Sequence, residues 1–218
     1  MTDLVYRTQN FLGSCLLRAF ANWRVEGIEN VPKHGPLLVL ANHLSNIDPG
    51  LLAVGVPLRM RFIAKSSLFK WGVGFYLRKY GAFPADRNGR DLEAFRWARD
   101  LLRRDGVIAM FPESTRNPDG MGRAIPGAAL LAIRTRASIL PVGISGSSHI
   151  RSLWRMFFPT GDLTVRIGKP FSLPEIDGKV EREELQSLAD SIMYRVADLI
   201  PKDLRGVYAQ FEGDPVDK

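Results

Sequence analysis

Cysteine is almost missing from this chain: Cys15 stands alone in 218 residues. That excludes an internal disulfide framework and a multi-cysteine zinc site, and it suits a reducing compartment. Long hydrophobic runs are missing as well. A spanning helix needs about 20 consecutive apolar residues, whereas the longest stretches here, Leu37 to Ala41, Leu51 to Val56 and Gly127 to Ile133, are far shorter. There are three histidines and no close pair of them, which disfavours a zinc centre; His43, Asp48 and Glu113 would be the one conceivable metal triad, and none is expected. The sequence has no Gly-x-Ser-x-Gly elbow, no P-loop and no Gly-x-Gly-x-x-Gly, so covalent serine catalysis and nucleotide hydrolysis lose support.

What is present is a globular composition with a basic surplus. Hydrophobic residues make up 45% and charged residues 24%, and the mean hydropathy is −0.07, as expected of one folded domain of this length. Thirty Lys and Arg against 23 Asp and Glu give a net charge of +7. Such a balance points to an anionic partner: nucleic acid, a membrane surface or a phosphorylated substrate. The basic residues are scattered and no nucleic-acid motif accompanies them, so a nonenzymatic basic binding module is the weaker reading and no nucleic acid is expected.

The N-terminal residues 1–24 read as an amphipathic helix ahead of a domain over 25–218. Asp3, Arg7, Asn10, Ser14, Arg18 and Asn22 recur at three- and four-residue steps, while Leu4, Phe11, Leu12, Cys15, Leu16, Ala19, Phe20 and Trp23 fill the other face. That apolar face either packs on the domain or lies in a membrane interface.

Beyond it, Pro36 to Ala41 is a buried-strand run that ends in polar residues. Asp48-Pro49 has the form of a helix start, with Asp48 as N-cap and Pro49 in the first turn. Arg61 to Ala64 and Gly81 to Phe83 read as strands flanking an aromatic and lysine-rich stretch, and Asp91 to Arg104 as a helix that Gly106 ends. Val107 to Phe111 is a further strand, followed by a polar loop and a helix from Gly127 to Arg136. Ile139 to Ile144 is a strand whose Pro141 suggests an end or an edge. Leu163 to Ile167 adds another strand, and Glu181 to Ile200 closes the chain as an amphipathic helix stopped by Pro201. Strands alternating with helices imply an α/β layered domain with a largely parallel central sheet flanked by helices.

In such domains ligands sit beyond the carboxyl ends of the strands, and two polar clusters fall there: Asn42 to Asp48 and Pro112 to Asn117. His43 is a candidate general base, and Asp48 a candidate to fix its tautomer and to stabilise the imidazolium that forms. Five residues apart, the two would not meet on a regular helix, so the spacing demands a turn.

Four blocks, in order, resemble the glycerolipid acyltransferases of the lysophosphatidic acid acyltransferase type, known from bacterial phospholipid synthesis. They are Asn42-His43-x4-Asp48-Pro49, Gly81-Ala82-Phe83-Pro84-Ala85-Asp86-Arg87, Phe111-Pro112-Glu113-Ser114-Thr115-Arg116 and Leu140-Pro141-Val142, within residues 25 to 170. The resemblance implies transfer of a fatty acyl group from acyl-CoA or acyl carrier protein, with no other cofactor, to the hydroxyl of a lysophospholipid. The expected acceptor is 1-acyl-glycerol-3-phosphate, with a lyso-ornithine lipid or lysophosphatidylcholine as alternatives. It implies His43 and Asp48 as the catalytic pair, and Arg87, Glu113, Ser114, Thr115 and Arg116 around the acceptor phosphate. Glu113 would hold Arg116 or bond the glycerol. Ser114 departs from the family's usual Gly, Pro84 is unusual in the second block, and Pro126-Gly127 stands where Lys-Gly is frequent. Two segments mix aromatics with cations: Leu68 to Tyr80 reads either as the wall of an acyl-chain tunnel or as a membrane interface, and Trp154 to Phe158 as an interface, which fits a peripheral enzyme on an anionic leaflet at the cytoplasmic face of the membrane.

Overall fold

The structure, a computed structural model, describes residues 2–86, 91–176 and 178–210. Seven strands form one sheet: β1 (Ala21–Glu26), β2 (Leu37–Ala41), β3 (Arg61–Lys65), β4 (Ala82–Ala85), β5 (Val107–Met110), β6 (Ser138–Ser145) and β7 (Gly161–Ile167), in the order β1-β7-β6-β2-β5-β3-β4. All neighbours are parallel except β6 and β7. The carboxyl ends of β2 to β6 therefore share one end of the sheet with the starts of β1 and β7.

The helices are α1 (Thr2–Phe20), α2 (Asp48–Gly55), α3 (Trp71–Tyr80), α4 (Leu92–Leu102), α5 (Gly127–Thr135), α6 (Leu153–Phe157) and α7 (Arg182–Ala197). Successive strand residues point to opposite faces, and β2 supplies both cores. Leu37, Val39 and Ala41 join Leu17 of α1 and Leu51 and Leu52 of α2 on one face; Leu38 and Leu40 join Ala98, Leu131 and Met193 of α4, α5 and α7 on the other. Burial on both faces is why this strand reads as an unbroken apolar run.

Three expectations are corrected. First, the N-terminal helix stops at Phe20 rather than continuing through Trp23. Residues 21–26 alternate half-buried and exposed, and they pair with β7 from Ala21↔Gly161 to Glu26↔Arg166. Trp23 and Val25 pack on the core from this strand, so a period of two with a strand partner overrides the helical pattern.

Second, Pro141 lies inside the sheet, between β7 and β2, and not at an edge. Its carbonyl accepts from Gly168 N at 2.9 Å. The amide it lacks would point to that same side, between the last β7 pair, Val142↔Ile167, and the isolated bridge Ile139↔Phe171. Proline occupies the one gap in the ladder where no donor is required.

Third, Asp48 does not cap α2. Ile47 takes the cap position without a side-chain bond, and Pro49 lies in the first turn. The Asp48 carboxylate turns back into the preceding loop.

α1 docks through a face opposite to its apolar stripe. Asn10 Nδ2 donates to Ala53 O at 2.8 Å, and Tyr6 donates to Leu58 O at 3.0 Å. At Gly13 a Cβ would lie 3.1 Å from Val54 Cγ2, so the missing side chain permits the close approach to α2. Leu4 (71% exposed), Phe11 (68%), Leu12 and Phe20 face outward, and Cys15 is exposed with them.

Candidate active site

The site begins where β2 ends. The side-chain amide of buried Asn42 mimics a strand partner, donating to Ile144 O at 2.9 Å and accepting from Ile144 N at 2.8 Å. His43 follows at the sheet's ligand-binding end. The loop then folds back, as the five-residue spacing demanded. His43 Nδ1 lies 2.9 Å from Asp48 Oδ2, which also accepts Leu44 N and Ser45 N at 2.7 Å each. Asp48 is fully buried, while the His43 side chain keeps 14% exposure.

A carboxylate that accepts two amides has no proton to offer, so Nδ1 is the donor in the His43 contact. In the neutral imidazole this leaves the lone pair on Nε2, the form a general base requires. The Phe111 ring stacks on the imidazole, with centroids 4.2 Å apart and planes at 21°. Ring and carboxylate thus fix the imidazole from its face and from its edge.

Glu113 occupies a different place from the one expected. It is buried, and instead of holding Arg116 it accepts from the backbone of His43 at 2.9 Å through Oε1. Its Oε2 accepts from Gly122 N at 2.7 Å and from Asn117 Nδ2. Asn117 N in turn donates to His43 O at 2.7 Å. Burial pushes the Glu113 carboxyl above the usual carboxylate range, against the lowering effect of these donors. Glu113 is buried between its own loop, which supplies Asn117 and Gly122, and the loop after β2, which supplies His43, so a residue read as a phosphate or glycerol contact ties these two loops together.

Arg116 and Thr115 are exposed. Arg116 donates to Asn46 Oδ1 at 2.8 Å, which fastens the guanidinium to the loop between His43 and Asp48. A guanidinium has five N–H donors in a fork, and among the described residues this is the one bond it makes. Ser114 is half-buried with φ +59°, in the left-handed region that favours glycine. The turn geometry explains the family's usual Gly there; in this chain a serine carries the strain. Arg87 lies outside the described residues.

Two further site residues have no role assigned from the sequence, although Asn117 lies in the second polar cluster. Asn117 and Ser147 each bond one of the two buried carboxylates. The C-terminal segment holds the loop that supplies Gly122 N: Met121 N donates to Leu204 O at 2.9 Å, and Ala124 N to Tyr208 Oη at 2.9 Å. The Gly146-Ser147-Ser148 run after β6 is turn-forming in composition, and nothing local says where its hydroxyls point. His149, outside the pair, is exposed and bonds Thr160 O at 2.8 Å. Among the described residues no group of three or more His, Cys, Asp and Glu side chains is arranged to hold a metal ion.

The sequence model of the Acyltransferase family matches residues 22–145, more than half of the chain. This chain belongs to the acyltransferase family. It is 26% identical over 179 residues to the 1-acyl-sn-glycerol-3-phosphate acyltransferase of Bacillus subtilis, an alignment covering 81% of this chain and 87% of that one. It is 33% identical over 141 residues to the human 1-acyl-sn-glycerol-3-phosphate acyltransferase beta, covering 61% of this chain and 49% of the human one. Among solved structures, the 1-acyl-sn-glycerophosphate acyltransferase of Thermotoga maritima superposes with a TM-score of 0.72 at 27% identity, covering 97% of this chain and 83% of that one. The α/β architecture, the family and the O-acyltransferase class expected from the blocks agree with these relatives.

Proposed function

We propose that this acyltransferase moves a fatty acyl group from the thioester of acyl-CoA or acyl carrier protein to the free hydroxyl of 1-acyl-glycerol-3-phosphate, giving phosphatidate. The observation that carries this reading is the imidazole held at Nδ1 by Asp48, 2.9 Å away, with the Arg116 guanidinium fastened to the same loop.

An alcohol is a poor nucleophile until its proton leaves. His43 Nε2 takes that proton as the acceptor oxygen attacks the thioester carbonyl carbon. Asp48 stabilises the imidazolium that results. When the tetrahedral adduct collapses, the C–S bond breaks and the leaving thiolate takes the proton back from His43. The products are the ester and the free thiol, with no acyl-enzyme. Arg116, and Arg87 by its place in the second block, supply planar donor forks suited to the acceptor phosphate.

The substrate is a lipid, and the outward face of α1 supports peripheral attachment to an anionic leaflet. Trp154 (79% exposed), Phe157 and Phe158 of the α6 segment are exposed too, and Phe158 meets Phe20 edge-on at 5.2 Å, which joins the two apolar patches. Exposed Arg7, Arg18, Arg151 and Arg155 border them; each cation near such a surface contributes about 1 kcal/mol. No described helix is long and apolar enough to cross a membrane. Because the thioester donors are made and used inside the cell, the surface proposed is the cytoplasmic face.

The test is acyl transfer by the purified protein on vesicles, with both donors and with lysophosphatidate, lysophosphatidylcholine and lyso-ornithine lipid as acceptors. Lysophosphatidate should give the highest rate; an equal or higher rate with the zwitterionic lysophosphatidylcholine would remove the phosphate assignment. Sedimentation with anionic liposomes should recover the protein at low salt, and Phe11→Ser should weaken that recovery while leaving the fold intact.

A further inference from the structure

The Asp48 carboxylate receives donors from two directions. Oδ2 takes three from its own loop: His43 Nδ1, Leu44 N and Ser45 N. Oδ1 takes one from 99 residues away, the hydroxyl of Ser147, at 2.6 Å. Both side chains are fully buried, at 0% exposure. We propose that Ser147 is a positioning residue for the His43–Asp48 pair, holding the carboxylate so that Oδ2 stays on the imidazole while the proton moves. This inference rests on His43 acting as the base.

The chain is built to put that hydroxyl there. β6 ends at Ser145, and Gly146 turns the backbone with φ +84°; a Cβ at Gly146 would lie 1.7 Å from Asp162 O, so only glycine permits the turn. Ser147 then enters the interior beneath Asp48, and Ile150 N closes the turn onto Ser147 O at 2.9 Å. Ser45 Oγ donates to Ile150 O, binding the far end of the turn to the catalytic loop. Asn42 fastens the same loop to Ile144 on the other side. The segment 144–150 and the segment 42–48 are therefore joined at three points, and Ser147 is the central one.

The order of groups excludes a serine nucleophile. In a Ser-His-acid triad the imidazole lies between hydroxyl and carboxylate. Here the carboxylate lies between imidazole and hydroxyl, so Ser147 cannot pass its proton to His43, and the Ser147 side chain is fully buried. What the hydroxyl does is fix a torsion. A carboxylate is an acceptor only, and without Ser147 the buried Oδ1 would have no donor among the described contacts. Rotation about the Cβ–Cγ bond would then exchange the two oxygens among the three loop donors, and the His43 contact would lose its geometry as the imidazolium forms.

The test uses Ser147→Ala and Ser147→Cys in the full chain, with kcat and KM for lysophosphatidate and the proton spectrum of His43. A histidine proton hydrogen-bonded to a buried carboxylate resonates far downfield of the amide envelope. Ser147→Ala should lower kcat roughly 10- to 100-fold, with acceptor KM within about twofold, and should shift or broaden that resonance. Ser147→Cys keeps a weak donor of similar size and should recover part of both; if the alanine variant does not fold, the cysteine variant's partial loss in kcat and resonance carries the test. Wild-type kcat in Ser147→Ala, or a lost kcat with the resonance unmoved, would overturn the assignment. The two readings fail separately: an inactive wild type whose resonance still responds to Ser147→Ala sinks acyl transfer alone, whereas an active wild type matched by Ser147→Ala sinks only Ser147.

Discussion

Asp48 and Glu113 are two buried carboxylates that both bind His43, one through the ring and the other through the backbone. Asp48 belongs to the same short loop as the histidine and takes its other donors from Leu44, Ser45 and Ser147. Glu113 arrives from the loop after β5, 70 residues on, and ties His43 N to Gly122 N and Asn117. The first sets the direction of the imidazole, and the second sets where the chain leaves the sheet. Neighbours in the third block thus part ways: the acidic one is turned inward between the loops, while Arg116 stays at the surface on Asn46.

Breaking the two carboxylates in turn should separate these roles. The largest effect is expected for Asp48→Asn. The new amide can present its NH2 to Nδ1, which reverses the tautomer and places a proton on Nε2, so kcat should fall about 100- to 10,000-fold with little change in acceptor KM. Steady-state kinetics on lysolipid vesicles reads this directly. Glu113→Gln should cost less, about tenfold in kcat, because its NH2 would face an amide donor, that of His43 or Gly122, and loosen the loop without altering the tautomer. A loss as large as that of Asp48→Asn would mean that Glu113 itself touches the reacting groups.

The smallest effect concerns stability. The folded protein raises the Glu113 carboxyl above its ordinary value of 4.5, so it binds that proton more tightly than the unfolded chain does. The contribution is full below 4.5 and is lost as pH rises through the raised value. Urea denaturation of Glu113→Gln, which cannot ionise, should therefore show a flatter decline in stability than wild type as pH rises across that window. Equal slopes in the two proteins would place the carboxyl in the ordinary range.

The sequence exposed this site unevenly, and the reasons are physical. The β2 run, the need for a turn between His43 and Asp48, and the closing helix α7 were legible because each depends on local spacing. α1 and α7 show the limit of periodicity. Both read as amphipathic, but α7 buries Ala189, Ile192, Met193 and Val196 whereas α1 turns Leu4, Phe11 and Leu12 outward and docks through Tyr6, Asn10 and Leu17. A hydrophobic stripe identifies a helix and not which surface it meets, since contact with α2 needed a polar anchor and a glycine. Pro141 was misplaced because a proline inside a sheet is permitted by a gap in the neighbouring strand, which only the β6–β7 register reveals. The Ser147 bond to Asp48 and the bonds of Glu113 and Asn117 to the backbone of His43 join loops about 70 to 99 residues apart, and no local pattern encodes them.

The most direct measurement of the central claim is the single-turnover rate of acyl transfer to lysophosphatidate for wild type and His43→Ala on the same anionic vesicles. If the imidazole is the base, the variant should bind vesicles and acceptor as wild type does while the rate falls at least about 100-fold, the contribution of a positioned general base. Equal rates in the two proteins would contradict the account.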